Sequence, residues 1–311
     1  MTQATTRTTS MRRWGTRLAR FTSRLASYAA PIAVTAAALS WSGRAEAQEI
    51  QLTGPLAGAP AVRHEKLYRQ GRFELAPTMS FTLLDEYNRT IFFGLRAQYN
   101  ITDWLSAGVW GAYGAIQSPT NLSNEIASNA SQESETAVNI PPKGNNCGPG
   151  GNQSCSFTNQ VAQMQWIVAP QLQLTPFRGK LAVFQKIFVN ADAYIHAGPG
   201  FVGLQERPDC GAAGQPLCTD PKSFGLASRL AVAPTFGLGF NFYIGDFISL
   251  GVEYRAIPFS WNRSGFDTAG GPPNGNFPDN KIDSNDQTFK FNQMMTISVG
   301  FSLPTHPRIS E

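Results

Sequence analysis

The chain has 311 residues and a formal net charge of +4 at pH 7. Seven of its 25 basic side chains but one of its 21 acidic ones lie in residues 1–47, so the remaining 264 residues carry 18 basic and 20 acidic groups. Because no basic patch with interleaved aromatic side chains remains, composition and charge exclude a nucleic-acid-binding protein.

The N-terminal segment has the parts of a secretory signal peptide. Six arginines between Arg7 and Arg24 precede an apolar run at residues 28–39 and then Ala45-Glu46-Ala47, an Ala-x-Ala cleavage site. The run is shorter than the roughly 20 apolar residues of a membrane-spanning helix, and no later segment supplies a long uninterrupted apolar run. We therefore predict a signal peptide over residues 1–47 and no helical membrane span.

Residues 48–70 follow as a Gly- and Pro-rich linker and then a short basic helix over residues 61–70, ending at Gly71. We place this segment in the periplasm.

The clearest pattern along the chain is the alternation in residues 90–116. Apolar side chains recur at every second position from Ile91 to Tyr99, against polar or small ones such as Arg96, and the alternation resumes after a turn at residues 101–103. The two strands are about 11 to 13 residues long and Tyr99 and Trp104 flank the turn, which is typical of a transmembrane β-hairpin.

The same alternation predicts six further strands, at about residues 72–83, 163–174, 187–197, 229–242, 248–255 and 289–303. A turn is expected at residues 177–185, and Met164 is expected on the outward face with Trp166. Short connections follow strands two, four and six, and long ones follow three, five and seven. This is expected of an outer-membrane barrel whose turns and termini are periplasmic.

The three long loops cover residues 117–159, 204–225 and 261–288, and they are rich in Gly, Asn, Ser, Asp or Pro. The first is too polar to build a core of its own, so we expect a solvated surface loop.

Charged and ionisable side chains occur at the strand positions that are predicted to face the inside of the barrel. An eight-stranded barrel has an interior just wide enough for side chains to fill, so we interpret them as a mutually paired plug. A weak pH- or ion-dependent channel is the alternative. The predicted lumen charge network is Arg72, Glu74, Arg96, Lys186, Asp192, His196, Arg229, Glu253, Arg255 and Lys290.

The cysteines fall in two local pairs, Cys147 with Cys155 and Cys210 with Cys218. Four cysteines allow three pairings, and zinc is the alternative ligand, but there is no Cys-x-x-Cys and no histidine nearby. Since an exported protein meets an oxidising compartment, two disulfides that pin loops are the simplest interpretation.

Five prolines occur on the outward parity within or near strands, where a proline cannot donate to the ladder. Bulges or strand ends would account for some of them. They are Pro77, Pro170, Pro199, Pro234 and Pro258.

Catalytic and metal-binding patterns are weak. His196 and Asp192 share a face of one strand, but an i, i+4 pair along a strand is about 13 Å apart, too far for a catalytic dyad. Asp279, Asp283 and Asp286 could hold calcium but lack the Gly and terminal Glu of an EF-hand loop, so a solvated charge cluster is the preferred interpretation. We predict no enzyme activity, no cofactor and no metal.

Three short motifs carry a resemblance to a known family: Gly54-Pro55-Leu56-Ala57-Gly58-Ala59-Pro60, Ile101-Thr102-Asp103-Trp104-Leu105 and Phe201-Val202-Gly203. With them, residues 54–303 resemble the small outer-membrane β-barrel domain family abundant in myxobacteria, within the wider class of OmpA- and OmpX-type barrels. Residues 305–311 follow the last strand, whereas barrels of this class often end in Phe. This leaves the assembly signal to Phe301 and Leu303.

The fold class predicted is all-β, an eight-stranded antiparallel transmembrane β-barrel over residues 71–303 with long extracellular loops and a periplasmic tail at 304–311. Its partners would be outer-membrane lipid, lipopolysaccharide and the outer-membrane assembly machinery, with no ligand specified. We expect a structural, adhesive or surface-binding role through the loops. The alternatives are a passive channel or transporter for a small or apolar solute and, third, a lipid-modifying enzyme. The predicted interface aromatics are Tyr99, Trp104, Tyr243, Phe247 and Phe301.

Overall fold

The computed structural model describes residues 67–134, 136–148, 150–183, 187–244, 247–270, 275, 277–304 and 308–309. The predicted signal peptide, the linker and all but the last four residues of the predicted helix lie outside the described residues. Among the residues described, no helix has both the length and the apolar character needed to cross a membrane.

Eight strands form a closed barrel in which each strand pairs antiparallel with its chain neighbour and the last pairs with the first. This confirms the predicted fold class of an all-β, eight-stranded antiparallel barrel. The strands are β2 Phe73–Leu83, β3 Asn88–Asn100, β4 Leu105–Pro119, β5 Gln163–Val183, β6 Ile187–Glu206, β7 Ala227–Tyr243, β8 Ile248–Trp261 and β9 Thr288–Leu303.

A two-stranded sheet outside the barrel joins the segments that flank it. It pairs β1, Leu67–Tyr68, with β10, Arg308–Ile309. Leu67 and Tyr68 thus lie in a strand where the sequence predicted the end of a helix, because the tail offers them a partner that local sequence does not reveal.

The barrel has a turn end and a loop end. At the turn end lie the connections after β3, β5 and β7 and the start of β2; at the loop end lie the three long loops. The first long loop contains the helix α1, Asn121–Asn129, whose N-cap Thr120 accepts a hydrogen bond from the Ser123 N–H.

Inward and outward side chains alternate along the strands as predicted. On β3 the Arg96 side chain points inward and the residue is 2% exposed, whereas its neighbour Leu95 is 45% exposed. The apolar side chains are therefore on the outside of the barrel, and polar side chains pack within.

Two strands are longer than predicted. β5 and β6 stay paired from Phe177–Ala193 to Val183–Ile187, so the turn expected at residues 177–185 is strand over its described part. The register shifts between Leu174 and Phe177, and such a bulge breaks the period-two pattern on which the prediction relied.

A second bulge overturns the placement of Met164. The register between β5 and β6 shifts between Met164 and Trp166, so the two side chains no longer share a face. Trp166 stays outward, while Met164 is buried inside at 2% exposure.

Four of the five in-strand prolines stand side by side in what we call the proline row. Pro199 of β6 pairs with Pro234 of β7, and the registers place Pro170 of β5 opposite Pro199 and Pro258 of β8 opposite Pro234. The row crosses four neighbouring strands at one level. The remaining proline, Pro77, falls where the ladder between β2 and β9 skips two residues.

Above the proline row, most of the side chains in the loop-end half of the barrel interior are apolar, with a few polar ones such as Asn292 among them. Side chains from seven of the strands form one buried cluster there, which we call the apolar cluster: Phe92, Trp110, Ile167, Val202, Leu204, Ala231, Ala233, Ile257, Phe259, Trp261 and Met294. The alternation in the sequence predicts polar, charged or small side chains inside the barrel, so the large apolar ones found there differ from that prediction.

Candidate functional site

A charged centre lies in the middle of the barrel around Glu253 of β8. Its carboxylate accepts hydrogen bonds from Tyr194 Oη at 2.9 Å, Arg96 Nη1 at 3.2 Å, and Arg255 Nε and Nη2 at 3.0 and 2.7 Å. His196 Nε2 lies 3.4 Å from the same carboxylate. All five residues are buried, and a buried carboxylate is tolerated only when it is paired and hydrogen-bonded in this way.

Arg96 links this carboxylate to a second one. Its Nη2 donates to Glu74 Oε1 at 2.8 Å, and its Nη1 also donates to Tyr194 Oη at 2.8 Å. The charged centre thus contains two arginines and two glutamates, so its formal charges balance. Removing one member would leave another buried and uncompensated.

Arg255 connects the charged centre to the apolar half of the interior. Its Nη2 donates to Gln171 Oε1 at 2.7 Å and its Nη1 to Thr235 Oγ1 at 3.2 Å. The guanidinium carbon lies 4.3 Å from the ring centroid of Trp110, a cation–π arrangement.

Glycines on β7 make room for the large side chains of the charged centre. A Cβ at Gly237 would collide with the His196 ring, and one at Gly239 with the Tyr194 ring. The local sequence Gly237-Leu238-Gly239 therefore keeps an outward apolar residue while leaving the interior free for side chains from β6.

The predicted inward charges fall into separate groups along the barrel. Glu74, Arg96, His196, Glu253 and Arg255 meet in the charged centre. Lys186 lies outside the described residues.

At the turn end Arg72 donates to the Pro304 carbonyl at 3.0 Å, while Asp192 pairs with Arg69. The carboxylate of Asp192 thus pairs with Arg69 at the turn end, while His196 lies beside Glu253.

The remaining predicted charges lie at the loop end. Arg229 pairs with Glu206, and Lys290 Nζ lies 3.5 Å from Glu86 Oε1 on a partly exposed rim. These two cations are therefore apart from the charged centre.

Sequence reasoning missed Tyr194 and Arg69. Tyr194 has the same strand parity as Asp192 and His196, and that parity was the signal available for it. Arg69 precedes the first barrel strand, so no alternation pointed to it; its guanidinium carbon lies 4.9 Å from the Tyr243 ring centroid.

The aromatic residues predicted at the interface divide between the two faces of the barrel. Tyr99, Trp104, Phe247 and Phe301 are exposed near the turn end. Tyr243 instead lies beneath Arg69 with a buried hydroxyl, because its position in β7 has the inward parity of Asn241.

The long loops pack together at the loop end as an ordered cap, which we define as residues 120–162, 207–226 and 262–287 in their described parts. Disulfides join Cys147 to Cys155 and Cys210 to Cys218. Val138, Cys210, Cys218 and Ile282 form a small buried cluster. The first loop therefore does contribute to a core, which corrects the expectation of a solvated loop: it borrows apolar partners from the other two loops.

Arg207 is the hub of the cap. It directly follows β6, and its five donors are all used: Nη1 to the Val138 and Gly265 carbonyls, Nη2 to the Cys218 carbonyl and Ser223 Oγ, and Nε to the Ser223 carbonyl, at 2.7 to 3.2 Å. One side chain thereby ties all three loops together.

The electrostatics of Arg207 follow from its burial. The guanidinium carbon lies 4.0 Å from the Phe224 ring centroid, and burial lowers the pKa of Arg207 to about 9. The side chain still carries its charge at pH 7, and its acceptors and ring contact offset the cost of removing it from water.

Acidic side chains in the loops also serve the cap. Asp286 accepts from the Thr268, Ala269 and Asp283 N–H groups, and Asp267 from the Asn280 N–H. Burial raises the pKa of Asp267. Within the described part of the chain, no group of three or more His, Cys, Asp or Glu side chains is placed to hold a metal ion.

Two more carboxyl groups at the loop end are affected in the same direction. Burial raises the pKa of Asp85, which lies 3.8 Å from Arg263 Nη2, and burial also raises the pKa of Asp209. Asp85, Asp209 and Asp267 are thus three carboxyl groups of the loop end whose pKa is raised by burial.

No protein-family model and no curated protein matches the sequence, so the resemblance to the myxobacterial family stays a prediction. Among solved structures, the chain is similar to the N-terminal β-barrel domain of OprF from Pseudomonas aeruginosa, at 8% identity and a TM-score of 0.37, covering 75% of this chain and 98% of that one. It is also similar to OprG from Pseudomonas aeruginosa, at 10% identity and a TM-score of 0.36, covering 76% and 97%.

A third similar structure is the outer membrane protease OmpT from Escherichia coli, at 8% identity and a TM-score of 0.25, covering 78% of this chain and 98% of that one. Similarity this low carries no information on activity or ligand.

Proposed function

We propose that the chain is an integral protein of the bacterial outer membrane that is occluded to ions and holds up an ordered surface cap for a structural, adhesive or binding role. The observation that carries the membrane assignment is the polarity of the barrel wall. Its outward side chains are apolar and exposed over many strands, while charged side chains are buried inside. A water-soluble barrel would expose the opposite pattern.

The same proposal orients the barrel. Short connections at the turn end and long ones at the loop end suit a barrel whose turns face the periplasm and whose cap faces outward. The predicted signal peptide and the two disulfides fit export to an oxidising compartment. Outer-membrane lipid and lipopolysaccharide would surround the wall, and the assembly machinery would insert it.

Support for occlusion comes from the interior side chains. The charged centre spans the barrel from Glu74 on β2 to Glu253 on β8 through one arginine, and the apolar cluster is buried above it. An ion would have to displace paired charges and then cross packed apolar side chains. The surface presented outward is then the cap, and we propose a non-enzymatic role for it in structure, adhesion or binding.

One observation favours a channel as the second candidate. Gln98, Gln173 and Asn241 are buried, and side-chain polar atoms of each have no protein partner among the described residues. Such atoms call for water, so the turn-end half of the interior could hold the start of an aqueous path.

Planar-bilayer conductance of the reconstituted protein separates the two. We expect no steady openings from the native chain, and openings only when Arg96→Ala and Glu253→Ala are combined with Trp110→Ala and Phe259→Ala, because the charged centre and the apolar cluster each occlude the barrel. Lys290→Ala, which removes a cation from the rim, is the matched control and should stay silent. Steady openings of the native protein that Arg96→Ala alters would contradict occlusion and favour the channel.

Orientation has its own test. A cysteine placed at Leu217, an exposed residue of the cap, should react with a membrane-impermeant maleimide on intact cells. A cysteine at Ile101, exposed in the turn after β3, should react only after the outer membrane is permeabilised. The reverse pattern would overturn the proposed orientation.

A further inference from the structure

The wall of the barrel is incomplete between β7 and β8. Their ladder runs from Tyr243–Ser249 to Phe236–Ala256 and ends there, although both strands continue towards the loop end and every residue of that stretch is described. On their other sides the two strands stay paired, β7 with β6 as far as Ala227 and β8 with β9 as far as Trp261. We call residues 231–235 of β7 and 257–261 of β8 the seam.

The proline row explains where the seam begins. The register that pairs Phe236 with Ala256 places Pro234 opposite Pro258, two residues further towards the loop end on each strand. Neither residue has an N–H, so a pair that would normally exchange two hydrogen bonds can form none.

A second proline pair in the same row shows that prolines alone do not keep strands apart. Pro170 and Pro199 also face each other, and the β5–β6 ladder is interrupted there, yet it resumes at Val168–Phe201 and continues to Gln163–Gln205. The β7–β8 ladder does not resume. The seam therefore has a further cause above the prolines.

That cause lies at the loop end of the seam, where side chains occupy backbone groups that a ladder would use. Arg229 Nη2 donates to the Ser260 carbonyl at 2.9 Å, and Glu206 Oε2 accepts from the Asn262 N–H at 3.4 Å. Arg229 and Glu206 also pair with each other. This ion pair acts as a polar latch that replaces backbone pairing at the top of the seam.

The walls of the seam are apolar on both faces of the barrel. Inward, Ala231 and Ala233 of β7 face Ile257 and Phe259 of β8, all within the apolar cluster. Outward, Val232 is 64% exposed, in keeping with the missing neighbour strand. Since the two alanines are small, the large side chains between the seam and the interior are Phe259 and Trp261, whose ring centroids lie 5.5 Å apart.

We propose that the seam is a lateral port at which one acyl chain of an amphiphile inserts between β7 and β8 and reaches the apolar cluster, with Phe259 turning aside. An acyl chain is the occupant that fits, because the seam opens towards the membrane interior, where hydrocarbon is the medium, and because its inner wall is hydrocarbon as well. The charged centre below would stop the chain, so the site is a dead end. This inference rests on the proposed membrane location of the barrel and not on the proposed role of the cap.

Photolabelling tests the proposal on the full-length protein reconstituted in phosphatidylcholine vesicles. Two probes carry a diazirine on the acyl chain, a stearic acid and a phosphatidylcholine, and adducts are located by fragment mass spectrometry. We expect adducts on the inward residues Ala231, Ala233 and Phe259 in addition to those on lipid-facing side chains. Labelling by the fatty acid alone identifies a free amphiphile as the source, and labelling by both probes identifies any acyl chain of the membrane.

The variant that closes the seam combines Pro234→Val and Pro258→Val, which restore the two missing donors, with Arg229→Met, which frees the Ser260 carbonyl. We expect its inward adducts to fall by roughly tenfold, a change that corresponds to about 1.4 kcal/mol in favour of the closed ladder. The matched control is Pro170→Val with Pro199→Val, which should leave the adducts unchanged. Phe259→Ala should raise them.

Either of two results would overturn the proposal. The first is labelling of the native protein on lipid-facing side chains only, a result that does not depend on the folding of any variant. The second is inward labelling that is equal in the native protein, the seam-closing variant and the control, which would place the route elsewhere. Folding of each variant is checked by comparing its mobility in an SDS gel before and after boiling.

Discussion

Replacing Arg207 by Met should release the cap without unfolding the barrel. The side chain makes five hydrogen bonds to the three loops. At a net value of about 1 kcal/mol each they sum to roughly 5 kcal/mol, and water reaching some of the freed carbonyls would reduce the loss. We therefore expect the cap to lose about 3 to 5 kcal/mol, because methionine leaves several of these buried carbonyls without a donor.

Arg207→Lys gives a graded second point. A lysine ammonium has three donors against the five of the guanidinium, so at least two bonds are lost and the cap should lose about 2 kcal/mol. The matched control is Lys222→Met, because Lys222 is an exposed cation in the same loop, and it should change stability by at most about 0.5 kcal/mol.

Hydrogen exchange with mass spectrometry is the assay, because it reports the cap and the barrel separately. Peptides that contain Val138, Cys218 and Gly265 should exchange roughly 10²- to 10³-fold faster in Arg207→Met, which is what about 3 to 4 kcal/mol produces. Peptides from the barrel strands should be unchanged. Unaltered protection of the cap, or loss of cap and barrel together, would refute the hub role of this arginine.

Three further changes have defined outcomes. Glu253→Gln should lower the free energy of unfolding in urea by about 3 to 5 kcal/mol, since two buried arginines lose their shared carboxylate, whereas Glu86→Gln on the exposed rim should cost at most about 1 kcal/mol; equal effects would contradict a buried charged centre. Cys210→Ser with Cys218→Ser should cost the cap about 2 to 3 kcal/mol, seen as faster exchange of the cap at unchanged barrel protection. Asp85, Asp209 and Asp267, whose pKa values are raised by burial, bind protons more tightly in the folded state. The stability that they contribute is therefore present at low pH and is lost as pH rises through their folded pKa values. Exchange of the cap, corrected for intrinsic rates, should therefore be slower near pH 4, at the ordinary pKa of a carboxyl group, than at pH 7, and the opposite trend would contradict the burial of these groups.

Alternation was sufficient to predict the strands because successive side chains of a strand point to opposite faces of the wall, and the two faces have different surroundings. Arg96 and Leu95 are adjacent in sequence and are placed oppositely, as their chemistry requires. The prediction failed where a bulge changes parity, as at Met164, since an extra residue leaves no mark in composition.

Partners within the barrel could not be predicted from the sequence. His196 lies near Glu253, which is on another strand, because the side chains cross a closed interior. Which inward side chains meet depends on how the eight strands are staggered along the barrel, and the alternation along each strand carries no information on that stagger. For the same reason the hub role of Arg207 was missed, since its acceptors are backbone carbonyls of loops far away in sequence.

The closure of the turn end has a consequence for the order of assembly. Arg69 precedes the first barrel strand, and its partner Asp192 lies 123 positions later. The strand β1 just before it pairs with Arg308–Ile309, beyond the last barrel strand. The pairing of β1 with β10 needs the last barrel strand in place beside the first, so this pair forms only when the ring of strands is complete. The segments that flank the barrel on either side are therefore held together only around a finished barrel.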